Sequence, residues 1–282
     1  MINKIKNFFF DIRDRQKIQI SLSKGIAMRE SRMIDPKNPH TWEFSGFSQN
    51  GEDGIIDYLR NKIKIKNNYF IEIGSANGFE NNSAWLLFTQ NYSGIMIDGN
   101  PNLIKRAKRL LASYSIGLQI LNMFVTNNTI SDIKKNTKFL NPDVFSLDID
   151  GNDYFIAKEI LKQGFRPKIF IVEYNSVFGP EKSLTIVPSD NFEYISAHPS
   201  GLYYGVSISG WVNFFTNNNY YFVSVDSKGV NAFFIDKNEF DANFISGIKQ
   251  FCFIENELQH LKYKCNYDQQ FKIIESMNFH TI

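Results

Sequence analysis

The chain has 282 residues, of which 43% are hydrophobic and 21% are charged, so it can bury a substantial core and extensive disorder is excluded. Its formal net charge of +2 provides no field suited to a phosphate backbone, which argues against a nucleic-acid partner. The two cysteines lack a paired spacing, which excludes a disulfide framework and a zinc site and favours a reducing, cytoplasmic location.

The first predicted element is a charged helix over residues 1–35, followed by a linker that contains Pro36 and Pro39. Charged side chains interrupt its apolar positions, so we expect neither a signal peptide nor an integral membrane segment. The sequence therefore predicts a helical extension and linker over 1–43, one domain over 44–238, and an amphipathic helical extension over 239–282.

The domain contains a strand, a turn and a helix typical of nucleoside-cofactor sites. The apolar run Tyr69–Ile73 predicts a strand that breaks into a glycine turn before a helix. Gly74 and Gly78 lack a Cβ atom, so the backbone can adopt a positive φ and approach a ligand closely. A second strand ends at Asp98, whose carboxylate can accept hydrogen bonds from both hydroxyls of a ribose.

The glycine spacing indicates which cofactor fits. A dinucleotide fingerprint needs glycines at its first, third and sixth positions, but Ala76 and Phe79 occupy the last two when counting begins at Gly74. The acid-x-Gly-x-Gly-x-Gly pattern of S-adenosylmethionine sites fits better, because only Ala76 departs from it. We therefore predict S-adenosylmethionine, while an ordinary strand-to-helix turn remains the alternative for the glycines alone.

The following elements continue the alternation of strands and helices. Strands are predicted over 118–125, 144–149 and 168–172, and a hairpin over 220–225 and 230–235. Short apolar runs separated by helices indicate a parallel sheet that is covered on both faces. The expected fold is α/β, a Rossmann-like seven-stranded methyltransferase sheet, mostly parallel with an antiparallel last strand.

Polar side chains follow the fourth and fifth strands. Asp148 and Asp150 follow one, and Glu173 and Asn175 follow the other. Ligands gather at the carboxyl ends of parallel strands, and an all-oxygen set suits Mg²⁺ or Mn²⁺. Such an ion would lower the pKa of a bound hydroxyl, whose proton Asp148 would accept. The alternative is that acids in this loop only cap the next helix.

Five segments resemble the FkbM-related methyltransferases, which are associated with bacterial surface glycans and secondary metabolites. The segments are Phe47–Asp53 (FSQNGED), Glu72–Gly74 (EIG), Ser146–Tyr154 (SLDIDGNDY), Glu173–Asn175 (EYN) and Gly229–Ala232 (GVNA). The resemblance covers residues 44–237 and implies a Rossmann-like fold, S-adenosylmethionine and transfer to a hydroxyl. Asp150 stands where the family commonly has glutamate. The cofactor-binding residues expected from the glycine turn and from this likeness are Gln49, Glu72, Gly74, Ser75, Ala76, Gly78, Asp98 and Asn122.

Several of the expected roles have a structural alternative. In similar proteins the end of the third strand lies near the adenine, but Asn122 could instead form a local backbone hydrogen bond. His198 lies in the loop expected over the pocket, either as a base or substrate contact or as a solvent-facing side chain. Tyr203, Tyr204 and Asn231 could form a sugar platform, or the two tyrosines could simply pack.

The preferred hypothesis is an O-methyltransferase that acts on a sugar hydroxyl, with a nucleotide-linked sugar of capsule or other surface polysaccharide as its small-molecule substrate. Asp148 and a divalent ion would activate the acceptor oxygen. A glycosyltransferase that uses Asp148–Asp150 as a DxD motif is an alternative, but it leaves the glycine turn and Asp98 unexplained. A non-enzymatic scaffold is the third hypothesis. The oligomeric state, including a homo-oligomer, is left open.

Overall fold

A computed structural model of the chain describes residues 2–111, 117–189 and 192–282, with side chains from residue 10 onward. Its helices are α1 (Ile2–Ser31), α2 (Glu52–Arg60), α3 (Ala84–Thr89), α4 (Pro101–Leu111), α5 (Ile130–Asn136), α6 (Asp153–Lys162), α7 (Tyr194–Ala197), α8 (Ile208–Asn217), α9 (Ala242–Gly247), α10 (Glu257–Tyr263) and α11 (Tyr267–Ile274). Its strands are β1 (Tyr69–Ile73), β2 (Ser93–Asp98), β3 (Leu118–Asn122), β4 (Val144–Leu147), β5 (Ile169–Glu173), β6 (Leu184–Ile186), β7 (Tyr220–Val225), β8 (Asn231–Asp236) and β9 (Phe279–Thr281).

Seven of the strands form one sheet in the order β3-β2-β1-β4-β5-β8-β7. The pairs among β1 to β5 are parallel, and β8 is antiparallel to both of its neighbours. This arrangement confirms the predicted Rossmann-like sheet with an antiparallel last strand. The chain runs outward from β1 to β3 and then crosses back to β4, so the strand order reverses between β1 and β4. In open parallel sheets such a reversal leaves a crevice at the carboxyl ends of the two strands.

The register of the three central strands aligns the residues that follow them. Ile73 of β1 pairs with Ile97 of β2 on one side and with Leu147 of β4 on the other. The strand ends therefore lie at one level of the crevice. Strand β4 ends at Leu147, two residues earlier than predicted. Asp148 and Asp150 therefore lie in the loop after the strand, and the two-residue alternation of side chains in an extended strand does not place them on the same side.

Both faces of the sheet are covered by helices, as the apolar runs predict. One apolar cluster combines sheet residues with buried side chains of α2, α3 and α4, such as Ile55, Trp85 and Leu110. The cluster on the other side includes side chains of α6 and α8, such as Ile156 and Trp211. At about 25 cal/mol per Å² of apolar surface removed from water, this two-sided burial is the main stabilising term of the fold.

The two predicted extensions contribute to the same cores. Ile18 of α1 and Phe240 near the C-terminal region both belong to the cluster that contains α2 and α3. The prediction of only helix after residue 239 is wrong at the end of the chain, because β9 pairs antiparallel with β6. The division into 1–43, 44–238 and 239–282 stays a prediction. None of the described helices is both long and apolar enough to cross a membrane.

A buried ion pair joins the residues that immediately precede β4 and β5. Lys168 Nζ lies 2.8 Å from Asp143 Oδ1, and the two side chains are 3% and 0% exposed. Replacing Lys168 with methionine leaves the carboxylate buried without its cation, so we expect a loss of about 3–5 kcal/mol of unfolding free energy in urea titrations. Lys135→Met is the matched control, because Lys135 and Asp132 are also 2.8 Å apart but are 74% and 50% exposed. The control should lose less than about 1 kcal/mol, and equal losses would contradict the role of burial.

Candidate functional site

The glycine turn after β1 is hydrogen bonded to β2 and lies close to the loop after β4. Gly74 has a φ of +87° and Ala76 a φ of +48°, and the N–H groups of Gly74 and Ser75 donate to Ile97 O at 2.9 and 3.0 Å. A Cβ atom on Gly74 would lie 1.7 Å from the backbone oxygen of Asp148. The turn therefore requires glycine at this position because of the adjacent β4 loop.

Gly78 has a different role from the one predicted. Its φ is +81°, and an added Cβ would lie 2.7 Å from a side-chain carbon of Leu111 and 3.1 Å from Ala107 Cβ, both on α4. The absence of a side chain at Gly78 therefore allows the turn to pack closely against this helix. Ser75 is fully buried, and its Oγ has no hydrogen-bond partner among the described residues.

Glu72 holds the segment that leads into α3. Its Oε1 accepts from Asn82 N at 2.8 Å, and its Oε2 accepts from the backbone N–H of Ser83 at 3.2 Å and from the Ser83 hydroxyl. Burial raises the pKa of Glu72 to about 7, although these hydrogen bonds oppose the shift. The predicted cofactor acid thus stabilises the shape of the loop beyond the glycine turn.

Asp98 is oriented by backbone groups on both sides. Its Oδ2 accepts from Ala76 N at 2.9 Å, and its Oδ1 accepts from Asn100 N at 2.7 Å. Each carboxylate oxygen can accept a further hydrogen bond, so one position per oxygen remains for a ligand donor. This arrangement suits the two hydroxyls of a ribose.

The first cavity has a volume of about 700 Å³ and lies over the ends of β1, β2 and β4. That volume is within the range of pockets that hold small molecules or cofactors. Its lining combines polar groups with an apolar wall and includes Gln49, Gly74, Ala76, Asp98, Met123, Phe124, Val125, Asp148 and Ile149. Asn122 is not part of this lining, because its amide donates to the backbone oxygens of Asp98 and Gly99 at 3.0 and 3.1 Å.

A tight loop after β4 brings two predicted carboxylates to the cavity. Asp150 has a φ of +53°, a left-handed conformation that a non-glycine residue adopts at a cost and that is common at functional sites. Asp153 fixes the loop, since its Oδ1 and Oδ2 accept from Ile149 N at 3.0 Å and from Gly151 N at 2.8 Å. Asp153 is one of the loop acids that could have capped the next helix, and in the structure its carboxylate shapes this loop.

The carboxylates of Asp148, Asp150 and Glu173 converge, with one oxygen from each lying within 4.8 Å of the other two. Burial raises the pKa of Asp148 and of Glu173 well above the ordinary value, and repulsion among the three acids adds to both shifts. The side-chain interaction between Asp148 and Glu173 opposes the rise in the pKa of Asp148 and adds to the rise in the pKa of Glu173. The three oxygens fit a hard divalent cation, which would relieve this repulsion.

Asn175, the predicted fourth ligand, uses its amide elsewhere. Its Nδ2 donates to the backbone oxygens of Leu202 and Tyr204 at 2.8 and 3.0 Å, and its Oδ1 accepts from Val177 N at 3.1 Å. It lines neither the first cavity nor the second one described next. Asn175 therefore positions the chain around Leu202 and Tyr204, and only three of the four predicted ligands come together.

A second cavity of about 450 Å³ adjoins the first. The two share five lining residues, namely Gln49, Gly74, Glu80, Asp148 and Asp150. Glu173 and the predicted substrate residue Asn231 line the second cavity only. Among the described residues that line either cavity, none is a lysine, arginine or histidine.

The other predicted substrate and catalytic residues have structural partners. The Tyr203 hydroxyl donates to Asn278 O and accepts from Val187 N, and its ring packs in a separate apolar cluster. Tyr203 therefore has the packing role that the sequence analysis gave as its alternative. The Tyr204 hydroxyl donates to Glu173 Oε1 at 3.4 Å and thereby positions a cluster acid. His198 Nδ1 is bound to Ser200 Oγ at 2.8 Å within its own turn, and His198 does not line either cavity.

The FSQNGED segment supplies a cavity residue, Glu52, that the sequence-based prediction did not include. Asp53 Oδ2 accepts from three successive N–H groups, those of Gly46, Phe47 and Ser48, at 2.6 to 3.0 Å. This bonding directs the segment toward the second cavity, where Glu52 forms part of the wall. The adjacent acids after a glycine were the available signal, but they are equally typical of a helix N-terminus.

The buried acids make stability depend on pH. The pKa values of Glu72 and Asp53 rise from 4.5 and 3.8 to about 7, and that of Asp153 from 3.8 to about 6, in each case mainly through burial. The folded chain therefore holds more protons than the unfolded chain between these values, and the unfolding free energy falls as the pH rises through this window. We expect a loss of a few kcal/mol between about pH 4.5 and about pH 8 in urea titrations.

Glu72→Gln tests this pH dependence, because it removes one of the titrating groups. The variant should show a smaller decrease in unfolding free energy across the same window. A wild-type unfolding free energy that rises with pH over that window would refute the assignment of raised pKa values.

No protein-family model matches the sequence, and a comparison with curated proteins finds no match. Solved structures with a similar fold include a Podospora anserina methyltransferase bound to S-adenosylhomocysteine. The two sequences are 14% identical, the alignment covers 64% of this chain and 76% of that chain, and the TM-score is 0.42. An O-methyltransferase from Bacillus cereus in complex with S-adenosylhomocysteine has 13% identity, coverages of 78% and 89%, and a TM-score of 0.43. M. capricolum TrmK in complex with the same molecule has 17% identity, coverages of 79% and 87%, and a TM-score of 0.39. At these identities the likeness extends to the fold alone.

Proposed function

We propose that the chain is an S-adenosylmethionine-dependent O-methyltransferase that acts on a sugar hydroxyl with the assistance of a divalent cation. One observation carries this proposal: a cavity with a glycine turn and a ribose-suited acid adjoins a second cavity lined by acids, and Asp148 and Asp150 line both. A methyl donor in the first cavity would then face an acceptor in the second.

The donor end of the site is built from a few complementary groups. Asp98 presents one free acceptor position on each oxygen to the ribose hydroxyls. Met123, Phe124 and Ile149 provide the apolar wall on which a flat base can lie. When bound, S-adenosylmethionine supplies a methyl group on a positively charged sulfur, which is already a good leaving group, so these residues act mainly by positioning it.

The acceptor end provides the base. Asp148, Asp150 and Glu173 would hold Mg²⁺ or Mn²⁺, which when bound lowers the pKa of an acceptor hydroxyl. Asp148 would receive the hydroxyl proton as the acceptor oxygen bonds to the methyl carbon, and the electron pair of the broken carbon–sulfur bond would remain on sulfur. Tyr204 keeps Glu173 in place through its hydroxyl.

The sugar acceptor is the finer part of the proposal. It is supported by the resemblance of five segments to FkbM-related methyltransferases and by the polar lining of the second cavity. A nucleotide-linked sugar destined for capsule or another surface polysaccharide, made in the cytoplasm, is the substrate we propose.

Isothermal titration calorimetry tests the proposal. S-adenosylmethionine should bind with and without Mg²⁺, because its predicted contacts lie outside the acid cluster, whereas NAD⁺ should not bind. Binding of UDP-glucose alone, without any binding of S-adenosylmethionine, would favour a glycosyltransferase. Binding of neither would favour a scaffold, and both outcomes would overturn the methyltransferase.

Asp98→Asn should weaken the binding of S-adenosylmethionine by about tenfold to a hundredfold, because a carboxylate acceptor of two hydrogen bonds becomes a mixed donor and acceptor. Calorimetry measures the change, and the thermal unfolding midpoint shows whether the turn is intact. Asp132→Asn is the matched control, since Asp132 lies on α5 and its carboxylate contacts the exposed Lys135. Unchanged affinity in a folded Asp98→Asn protein would exclude the ribose role.

A further inference from the structure

The wall of the second cavity carries more negative charge than one divalent cation accounts for. Six carboxylates line it, those of Glu52, Glu72, Glu80, Asp148, Asp150 and Glu173, and no described lining residue carries a positive charge. Three of the six form the proposed cation site. Glu80 is paired with Lys17 Nζ at 3.1 Å, and Glu72 accepts from the residues before α3.

Glu52 is the acid that these partners leave unexplained. It is 2% exposed, and it accepts from Asn50 N at 2.6 Å, from Asn50 Nδ2 at 2.9 Å and from Asn231 Nδ2 at 2.8 Å. All three donors are neutral, so the charge of a Glu52 carboxylate is not compensated by a cation. Oε2 accepts only one of these bonds and can accept another.

Asn231 adds an unpartnered acceptor beside Glu52. It is 5% exposed and lines the second cavity, and its Oδ1 has no hydrogen-bond partner among the described residues. The bond from its Nδ2 to Glu52 fixes which end of the amide is the oxygen, because the reversed amide would place two acceptors together. A buried acceptor without a partner is costly, which points to a donor supplied by a ligand.

Two further acids near Glu52 have raised pKa values. Burial raises the pKa of Asp226 well above its ordinary value and that of Glu43 to about 7, and the nearby charge of Glu52 adds to both shifts. These neighbours respond to the uncompensated charge by retaining protons. An anionic ligand group at this wall would be repelled, whereas an ammonium group would be attracted.

We propose that the acceptor is an amino sugar whose free ammonium group donates hydrogen bonds to Glu52 and to Asn231 Oδ1. This inference rests on the proposed function and names its substrate class. An ammonium group has three donors and no acceptor, so it matches a carboxylate and an amide oxygen together. Its charge also supplies the cation that the wall lacks. A hydroxyl on the same ring would then be the group that reaches Asp148.

The amino sugar could be free or linked to a nucleotide. A third cavity of about 230 Å³ shares Asp150, Tyr194, Asn256 and Leu258 with the second cavity and is also lined by Lys262. The phosphates of a nucleotide-linked amino sugar have a cationic partner there, outside the acidic wall. The two sources therefore differ in whether Lys262 contributes to binding.

Three monosaccharides that differ at one carbon test the proposal. At that carbon, glucosamine carries an ammonium group, glucose a hydroxyl and N-acetylglucosamine a neutral amide. The dissociation constant of each sugar is measured by NMR titration in the presence of Mg²⁺, both with and without S-adenosylhomocysteine. We expect glucosamine to bind at least about tenfold more tightly than the other two. UDP-glucosamine is a fourth probe, and Lys262→Gln should weaken its binding only if the nucleotide-linked form is the ligand.

Variants assign the preference to the wall. Glu52→Gln and Asn231→Ala should each reduce the preference for glucosamine to below about threefold, whereas Glu275→Gln, which removes an exposed acid outside the cavities, should leave it unchanged. Asn231→Ala provides an independent test if Glu52→Gln does not fold, and thermal unfolding shows whether each variant is folded. Equal binding of the three sugars, no binding of any, or a preference that survives both variants would overturn the inference. Failure of S-adenosylhomocysteine to bind would instead overturn the proposed function, while the sugar preference is still measured without it.

Discussion

Asp148→Asn is expected to lower the rate of methyl transfer by about a hundredfold to ten-thousandfold and to change the affinity for S-adenosylmethionine by less than about threefold. The amide keeps the size of the side chain, but it cannot take up the proton of the acceptor hydroxyl. Asp98 and the glycine turn remain intact, so the donor should still bind. The rate is measured as S-adenosylhomocysteine release with an acceptor that the wild type methylates, and the affinity by calorimetry.

Asp150→Asn distinguishes the loss of a cation ligand from the loss of the catalytic base. Because Asp150 contributes an oxygen to the acid cluster but no proton transfer in our proposal, its loss should weaken Mg²⁺ binding and be compensated by higher Mg²⁺ concentrations. Asp148→Asn should not be rescued in this way. Wild-type turnover by a folded Asp148→Asn protein would refute the assignment of Asp148 as the base.

The central strands could be predicted from sequence because strong local signals bound them. Tyr69–Ile73 is a continuous apolar run before a glycine, and Pro101 marks the first turn of α4. Strand β4 was predicted two residues too long, because the left-handed turn at Asp150 depends on hydrogen bonds to Asp153. Strand β9 has only three residues and pairs with a segment far away in the chain, so no local periodicity revealed it.

Topology predicted that residues at the carboxyl ends of β4 and β5 meet at one edge of the sheet. The convergence of Asp150 with Asp148 and Glu173 also requires the tight loop that Asp153 shapes. The roles of Asn175 and Tyr203 could not be predicted in this way, since each binds backbone groups whose position depends on the packing of distant segments. A polar residue that lines a cavity can be distinguished from one that supports a loop only when the fold is known, because both have the same residue types.

Gly74→Ala is expected to weaken both the fold and the donor site, because two separate costs coincide at this residue. Its φ of +87° is unfavourable for alanine by about 1 kcal/mol, and the added Cβ would lie 1.7 Å from Asp148 O, where only backbone could move. Overpacking of this kind adds about 1–3 kcal/mol. We expect a total loss of about 2–4 kcal/mol in unfolding free energy and at least about tenfold weaker S-adenosylmethionine binding.

Gly164→Ala isolates the conformational cost from the steric one. Gly164 has a φ of +90°, nearly the same as that of Gly74, but an added Cβ would meet nothing within 4 Å. This control should lose only about 1 kcal/mol and bind the donor as the wild type does. Because the two glycines share a backbone conformation, the difference between the variants measures the contact between the turn and the β4 loop. If Gly74→Ala is no worse than Gly164→Ala, the turn is not held against Asp148, and the boundary that Gly74 and Asp148 form between the two cavities loses its structural basis.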